Sequence, residues 1–369
     1  MATEDFFEKQ SDDSRVKTEI VFTHFAAWLN IIGNATRRGG DDLAYMELFS
    51  GPGVFADGNR STPMMVAQHA VNSRFANRMN LFLNEMDDGY AARLAANISQ
   101  IVGVEKLAGR IHLSRAEVTR ANHGELLQPM KGMPAVLFVD PWGYKGVSLD
   151  LFASFIDGAH MGRDAILFFN YRRITAALSN EQFAVHMAAM FGEQRAARLS
   201  SDIADLHGDA REKKVFAAIE EALHEAGARY SQRFEFSKRG DNLIFISKSV
   251  KGLDVAKTVM AKRSDMDDEG VASFAFDSRP KLEFQEVLFK PPSKLEELRV
   301  DLARRFAGRT VTFKQLFHEH HPTTQYVERN YRDVLLQMEH DGEIAASPSQ
   351  RRAGTFGPNV RITFPRRKE

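Results

Sequence analysis

The feature that most constrains this chain is an alternation: short apolar runs near residues 43–49, 80–86, 110–114, 135–140 and 164–170, with helical patterns between them. Runs of strand length separated by helical stretches predict an α/β fold, a parallel sheet with helices on both faces. A helix over Arg15–Asn34 precedes the first run, with Phe22, Phe25, Ala26 and Leu29 on one face. Residues 1–14 are polar and expected to fray. After Phe168-Phe169-Asn170-Tyr171 the chain is helix-rich to about Gly227, longer than a crossover needs, and is expected to cap the strand ends. Two alternating strands follow, Tyr230–Phe236 and Asn242–Val250, joined by a hairpin turn at Ser237-Lys238-Arg239-Gly240-Asp241.

Three of the apolar runs end in acids. Tyr45-Met46-Glu47-Leu48-Phe49-Ser50-Gly51-Pro52-Gly53 carries Glu47 into a glycine turn, Leu81-Phe82-Leu83-Asn84-Glu85-Met86-Asp87 ends in Glu85 and Asp87, and Ala135–Val139 ends in Asp140-Pro141-Trp142-Gly143. Open α/β sheets bind ligands beyond the carboxyl ends of their strands. The glycine spacing is not the G-x-G-x-x-G of a pyrophosphate site, and an acid ahead of the turn repels phosphate. A carboxylate beside a loop of close approach suits a cationic, phosphate-free cofactor, of which S-adenosylmethionine is the common one. The expected cofactor residues are Glu47, Phe49, Gly51, Gly53, Glu85, Asp87 and Glu117, with Glu85 gripping the ribose diol. Asp140, Pro141 and Trp142 form the candidate catalytic segment. Plainer readings stand beside these: Asp-Pro is a common turn initiator, and an acid after a strand is often a helix N-cap.

Composition excludes several chemistries. The 369 residues hold 49 Lys+Arg and 49 Asp+Glu, so any nucleic-acid binding must come from local patches. There is no cysteine, hence no disulfide, zinc-thiolate site, iron–sulfur cluster or thiol nucleophile. No G-x-x-x-x-G-K-[ST] segment occurs, which removes a P-loop enzyme. The start, Met1-Ala2-Thr3-Glu4-Asp5, lacks an apolar h-region and no run approaches a membrane span, so a cytoplasmic protein without membrane contact is expected. His318, His320 and His321 lack a completing acid or cysteine; a solvated helix end is expected there, and no metal.

Composition changes near Pro280, and residues 280–292 read as a linker between an α/β domain over 15–279 and a small domain over 293–369. There the pattern is helix (Lys294–Phe306), strand (Thr310–Thr312), helix (Phe313–His320), helix (Thr323–Glu339) and two strands, Glu343–Ser347 and Val360–Phe364. That order is a winged helix. Its recognition helix would carry Gln325, Tyr326, Arg329 and Arg332, its wing Gln350, Arg351 and Arg352, and its tail Arg366-Arg367-Lys368. Arg172 and Arg173 after the fifth strand are candidates for a phosphate or for local ion pairs. Winged helices also serve as protein-docking modules, and that alternative stands.

Glu47–Gly53 with Ser61-Thr62-Pro63, Asn84–Asp87, Asp140–Gly146, Phe169–Arg173 and Asn242–Gly252 form an ordered set. Through it the chain resembles the three-Cys-motif partner (TcmP) family. The resemblance implies a methyltransferase-like Rossmann sheet with an antiparallel edge hairpin, a small C-terminal winged-helix domain, and a bacterial protein paired with a separate radical-type protein that carries the three cysteines. The first motif also looks like that of cytosine-carbon methyltransferases, but their chemistry needs a thiolate that this chain lacks. Asp140–Gly143 is closer to the Asp-Pro-Phe-Gly of guanine-N2 methyltransferases and departs from the Asp-Pro-Pro-Tyr of adenine-N6 enzymes at Trp142 and Gly143. The expected function is N-methylation of an exocyclic base amine; the alternative is a nucleic-acid-binding adaptor that keeps the fold without transfer.

Overall fold

The computed structural model describes residues 7–141, 143, 146–236, 240–278, 293–349, 352 and 355–366. The chain divides into two compact units, Met1–Val259 and Met260–Glu369.

In the first unit, helix α1 (Asp12–Ala35) leads into β1 (Leu43–Glu47), α2 (Thr62–Asn72), β2 (Met79–Asn84), α3 (Asp88–Ser99), β3 (Ile111–Ser114), α4 (His123–Leu127), β4 (Ala135–Val139), α5 (Leu149–Asp157) and β5 (Arg163–Asn170). Then come α6 (Tyr171–Leu178), α7 (Ala184–Phe191), α8 (Glu193–Asp202), α9 (Gly208–Glu225), β6 (Tyr230–Phe236), β7 (Asp241–Ser247) and α10 (Val250–Ala261). The strands lie in the order β3-β2-β1-β4-β5-β7-β6. Strands β1 to β5 run parallel, and β7 is antiparallel to both β5 and β6. This is the methyltransferase-like Rossmann sheet with its antiparallel edge hairpin. All five residues of β1 and of β4 are buried, as expected of central strands covered on both faces. The strand order reverses between β1 and β4, which puts a topological switch point at the tips carrying Glu47 and Asp140.

Helix α1 starts earlier than expected, because Ser11 accepts from Ser14 N and Asp12 and Asp13 occupy the first turn, where acids suit the helix dipole. The expected fraying does not extend to Phe7–Ser11: Phe7 O and Glu8 O accept from Ala56 N and Asp57 N, and Gln10 N donates to Asp57. Residues 1–6 lie outside the described residues, as do Ser237–Arg239 of the hairpin turn. The helices expected to cap the strand ends are built into the main core instead, through Ile174, Leu178, Met190, Phe191, Leu199, Val215, Phe216 and Ile219. Apolar burial this continuous makes them a structural layer on one sheet face.

The second unit holds a short strand β8 (Ala275–Phe276), then α11 (Lys294–Arg305), β9 (Thr310–Thr312), α12 (Phe313–His320), α13 (Glu328–His340), β10 (Ala345–Ser347) and β11 (Arg361–Thr363). Strands β9, β10 and β11 form an antiparallel sheet in the order β10-β11-β9, the wing of a winged helix. Its core joins Leu298 and Leu302 of α11 and Phe306 just after it to Phe317, Tyr331, Leu335, Phe356 and Ile362. Helix α13 begins at Glu328, later than the expected Thr323, because His321–Thr323 forms a 3-10 turn and Asn330 accepts from Val327 N at 3.1 Å to open the helix. The expected linker, 280–292, lies outside the described residues.

The histidines correct an expectation. His320 and His321 are fully buried, not a solvated helix end. His320 bonds Tyr331 Oη and Asp301 Oδ2, both at 2.7 Å, and His321 stacks on Phe317 with ring centroids 4.1 Å apart. Each ring fills core volume; both nitrogens of His320 meet protein partners, and His321 Nδ1 meets Phe317 O at 2.8 Å. Among the described residues no group of three or more His, Asp or Glu is placed to hold a metal ion. No described helix is long and apolar enough to cross a membrane.

Candidate functional site

The acids at the tips of β2, β1 and β4 meet at the switch point, and each is held differently. Glu47, the last residue of β1, is buried and accepts from Tyr45 Oη at 2.7 Å. Burial pushes its pKa well above the ordinary carboxylate range, Tyr45 pulls it back, Asp140 and Glu85 push it up further and Lys17 opposes them. Glu85, just past β2, receives Gly51 N on Oε2 at 2.8 Å and Asp87 N on Oε1 at 2.9 Å. Each carboxylate oxygen has a second lone pair, so Glu85 keeps acceptor capacity for a diol while it fastens the glycine turn to the β2 tip. Asn84 braces the same tips, donating to Leu48 O and Ala116 O and accepting from Ser114 Oγ and Ala116 N.

Asp140 is paired with a residue the sequence reading missed. Lys17 of α1 donates to Asp140 Oδ2 at 2.6 Å, and its ammonium sits 4.3 Å from the Phe168 ring centroid. The two side chains are 9% and 23% exposed, so the pair is largely withdrawn from water. A signal for Lys17 existed: it shares the buried stripe of α1 with Val21, His24 and Trp28. A lysine on an apolar stripe implies a buried partner. Pro141 is buried; Trp142 lies outside the described residues. The loop beyond is anchored by His123, whose Nε2 meets Gly146 O at 2.9 Å and whose Nδ1 meets Ser148 Oγ at 3.2 Å. Burial lowers the His123 pKa, which favours the neutral ring these contacts use. Gly146, at φ +77°, comes so close to Val118 O that a Cβ would stand 2.3 Å from it.

The glycine turn has a structural cause of its own. Gly51 and Gly53 have φ of +61° and +82°. A Cβ on Gly51 would meet the Phe7 ring at 2.8 Å, and one on Gly53 would meet Leu94 and Met64 at 2.9 and 3.1 Å. These contacts and the positive φ call for glycine at both positions whether or not a ligand approaches the turn. Phe49 is half-buried against the core. Asp87 is the N-cap of α3, accepting from Tyr90 N at 2.8 Å, so the N-cap reading holds for it. Glu117 is exposed beyond β3, and its backbone carbonyl accepts from Asn122.

The candidate nucleic-acid contacts are scattered. Arg172 and Arg173 are exposed in the first turn of α6. In the second unit Arg329 is exposed and lies 3.6 Å from Asp333. Arg332 pairs with Glu328 and covers the Phe313 ring. Gln325 precedes α13 and is exposed, whereas Tyr326 is buried and donates to Lys294 O at 2.7 Å. Arg352 is exposed in the wing; Gln350, Arg351, Arg367 and Lys368 lie outside the described residues.

Residues 273–351 match the GMT-like wHTH domain family. No curated protein matches the sequence significantly. Among solved structures, the chain is similar to a possible exported protein from Bordetella parapertussis, at 13% identity and a TM-score of 0.29, over 62% of this chain and 66% of that one, just under two thirds of its length. It is similar to a candidate S-adenosyl-L-methionine-dependent methyltransferase from Methanococcus maripaludis, at 15% identity and a TM-score of 0.31, over 64% and 92% of the two chains. A third is the SAM-dependent methyltransferase from Geobacter sulfurreducens in complex with S-adenosyl-L-homocysteine, at 10% identity and a TM-score of 0.26, over 60% and 90%.

Proposed function

We propose that the first unit binds S-adenosylmethionine and transfers its methyl group to the exocyclic amine of a nucleic-acid base. One observation carries this: Glu85 at the β2 tip is tied to Gly51 N beyond β1, while Asp140 stands on the other side of the switch point. Glu85 retains lone pairs for a ribose diol, so the tip fits such a cofactor. The bound cofactor supplies an electrophilic methyl on a sulfonium. Asp140 accepts from the amine and aims its lone pair; positioning and a preorganised acceptor account for most of such a rate. Trp142, Gly53 and Glu47 complete the proposed site. Lys17 holds Asp140 Oδ2, so the amine takes Oδ1, which has no hydrogen bond among the described residues. The winged helix, with Arg329, Arg332 and Arg352 facing the phosphates, holds the nucleic acid, and a three-Cys radical-type protein is its partner, as the family resemblance implies.

A second reading, a nucleic-acid-binding adaptor without transfer, is favoured by the same Lys17–Asp140 pair together with Phe7 against Gly51, since both place protein groups where ligands would sit. Incubation with methyl-labelled cofactor and either RNA or DNA separates the two. The enzyme reading expects label on the nucleic acid, a loss of about 10²-fold in Asp140→Ala with cofactor affinity kept, and lost cofactor affinity in Glu85→Ala. No transfer to any nucleic acid, with the three-Cys protein present, leaves the adaptor.

A further inference from the structure

The opposite end of the same sheet holds a cavity of about 450 Å³, bounded by α1, α10, the start of β5 and the end of β7. Its walls are largely apolar: Trp28, Ile32, Ile156 and Val255 line it, and the exposed Ile31 and Met161 stand at its mouth. One polar assembly is set into it. His24 Nε2 lies 3.1 Å from Asp164 Oδ2, and Ser247 Oγ donates to Asp164 Oδ1 at 2.6 Å. Gly252 lets α10 come down on that carboxylate, since a Cβ there would stand 2.8 Å from Asp164 Oδ1.

His24 is only 1% exposed, and its Nδ1 has no hydrogen-bond partner among the described residues. A carboxylate oxygen accepts, so in the neutral ring the proton that meets Asp164 sits on Nε2 and Nδ1 is left as an acceptor. A buried acceptor left unmet is costly, and few native structures leave one without a ligand or water. Two rim lysines are paired, Lys248 with Asp157 and Lys251 with Asp254 at 2.6 Å, and the buried Arg163 that also lines the cavity donates to Met130 O. A largely apolar cavity of this size, with an unmet ring nitrogen of a wall residue, has the form of a small-molecule site.

We propose that this cavity binds an uncharged aromatic heterocycle whose N–H or O–H donates to His24 Nδ1, independently of the strand-tip site. The full-length chain is titrated calorimetrically with indole and with benzofuran, which has the same outline but no N–H. Indole is expected to bind about 10-fold more tightly, the factor that one hydrogen bond to a buried acceptor gives. His24→Phe should equalise the two, and Val255→Trp, which fills the cavity from half-buried α10, should weaken indole at least about 10-fold while the unfolding transition stays cooperative. Equal affinities in the wild type, no indole heat up to its solubility limit, or unchanged binding in Val255→Trp overturns the proposal. A preference for indole that survives in His24→Phe overturns it as well.

Discussion

Replacing Lys17 with Met tests whether the pair at the β4 tip is a fixed part of the first unit. Methionine keeps most of the apolar stem and removes the ammonium that lies 2.6 Å from Asp140 Oδ2. Breaking a fully buried pair by removing one partner costs roughly 3–5 kcal/mol, whereas exposed pairs are worth about 0–1 kcal/mol. Lys17 is 9% exposed but Asp140 is 23% exposed, so the stranded carboxylate regains part of its hydration. The expected cost is therefore about 2–3 kcal/mol, with the contact to Phe168 lost in the same step. Asp140→Asn strands the better buried ammonium and should cost about as much or more. In the double variant neither charge is stranded, so the two effects should fall short of additivity by about 2 kcal/mol. Urea unfolding followed by tryptophan fluorescence reads the first unit alone, since the chain's two tryptophans are Trp28 and Trp142. The midpoint should move with the slope unchanged. Additive effects, with coupling under about 0.5 kcal/mol, would refute a specific Lys17–Asp140 pair.

Glu47→Gln should relieve a pH-dependent cost. Because the folded-state pKa of Glu47 is raised, the native state holds the proton longer than the unfolded chain; stability from this group is full below the unfolded value and lost as pH rises through the folded one. The wild type should lose stability relative to the glutamine variant above about pH 4.5, by up to roughly 1.4 kcal/mol per pH unit, and match it in acid; parallel profiles from pH 4 to 8 would contradict this. Gly146→Ala, which forces a Cβ to 2.3 Å from Val118 O at positive φ, should displace the loop after β4 and cost more than about 2 kcal/mol, seen as a lower unfolding midpoint. Removing Arg351, Arg352, Arg366, Arg367 and Lys368 together should flatten the salt dependence of nucleic-acid binding by about one unit of slope for each side chain that met a phosphate, measured by fluorescence anisotropy across salt; an unchanged slope assigns the contacts elsewhere.

The sheet was legible because its strands are covered on both faces, which writes them as unbroken apolar runs, and the hairpin because Tyr230–Phe236 alternates. The winged helix was legible except at the start of α13, where Val327 offers no capping side chain and the threonines before it look like caps. The acids at the strand tips were found, but what holds them was not. Gly51 and Gly53 read as room for a ligand, and nothing in the sequence signalled that Phe7, Leu94 and Met64 also press on them. His320 and His321 read as solvated because a polar helix end and a satisfied core histidine have the same local sequence; only Tyr331, Asp301 and Phe317, remote or on the next turn, distinguish them.

The two groups that matter most at the ends of the sheet share one cause for having been missed. Lys17 and His24 lie on the same buried stripe of α1, and each meets an aspartate of the central sheet, Asp140 after β4 and Asp164 within β5. Reading strands and their tips in turn cannot reveal them, because the partner comes from a helix that precedes every strand in the chain. Acids gathered at adjacent strand tips repel one another and resist burial, so the fold must answer them with a cation or a proton. Glu47 takes the proton route, through the pKa that burial raises against the pull of Tyr45; Asp140 takes the cation, through Lys17. A lone lysine or histidine on an otherwise apolar helical stripe therefore points to a buried carboxylate on the sheet that the helix covers.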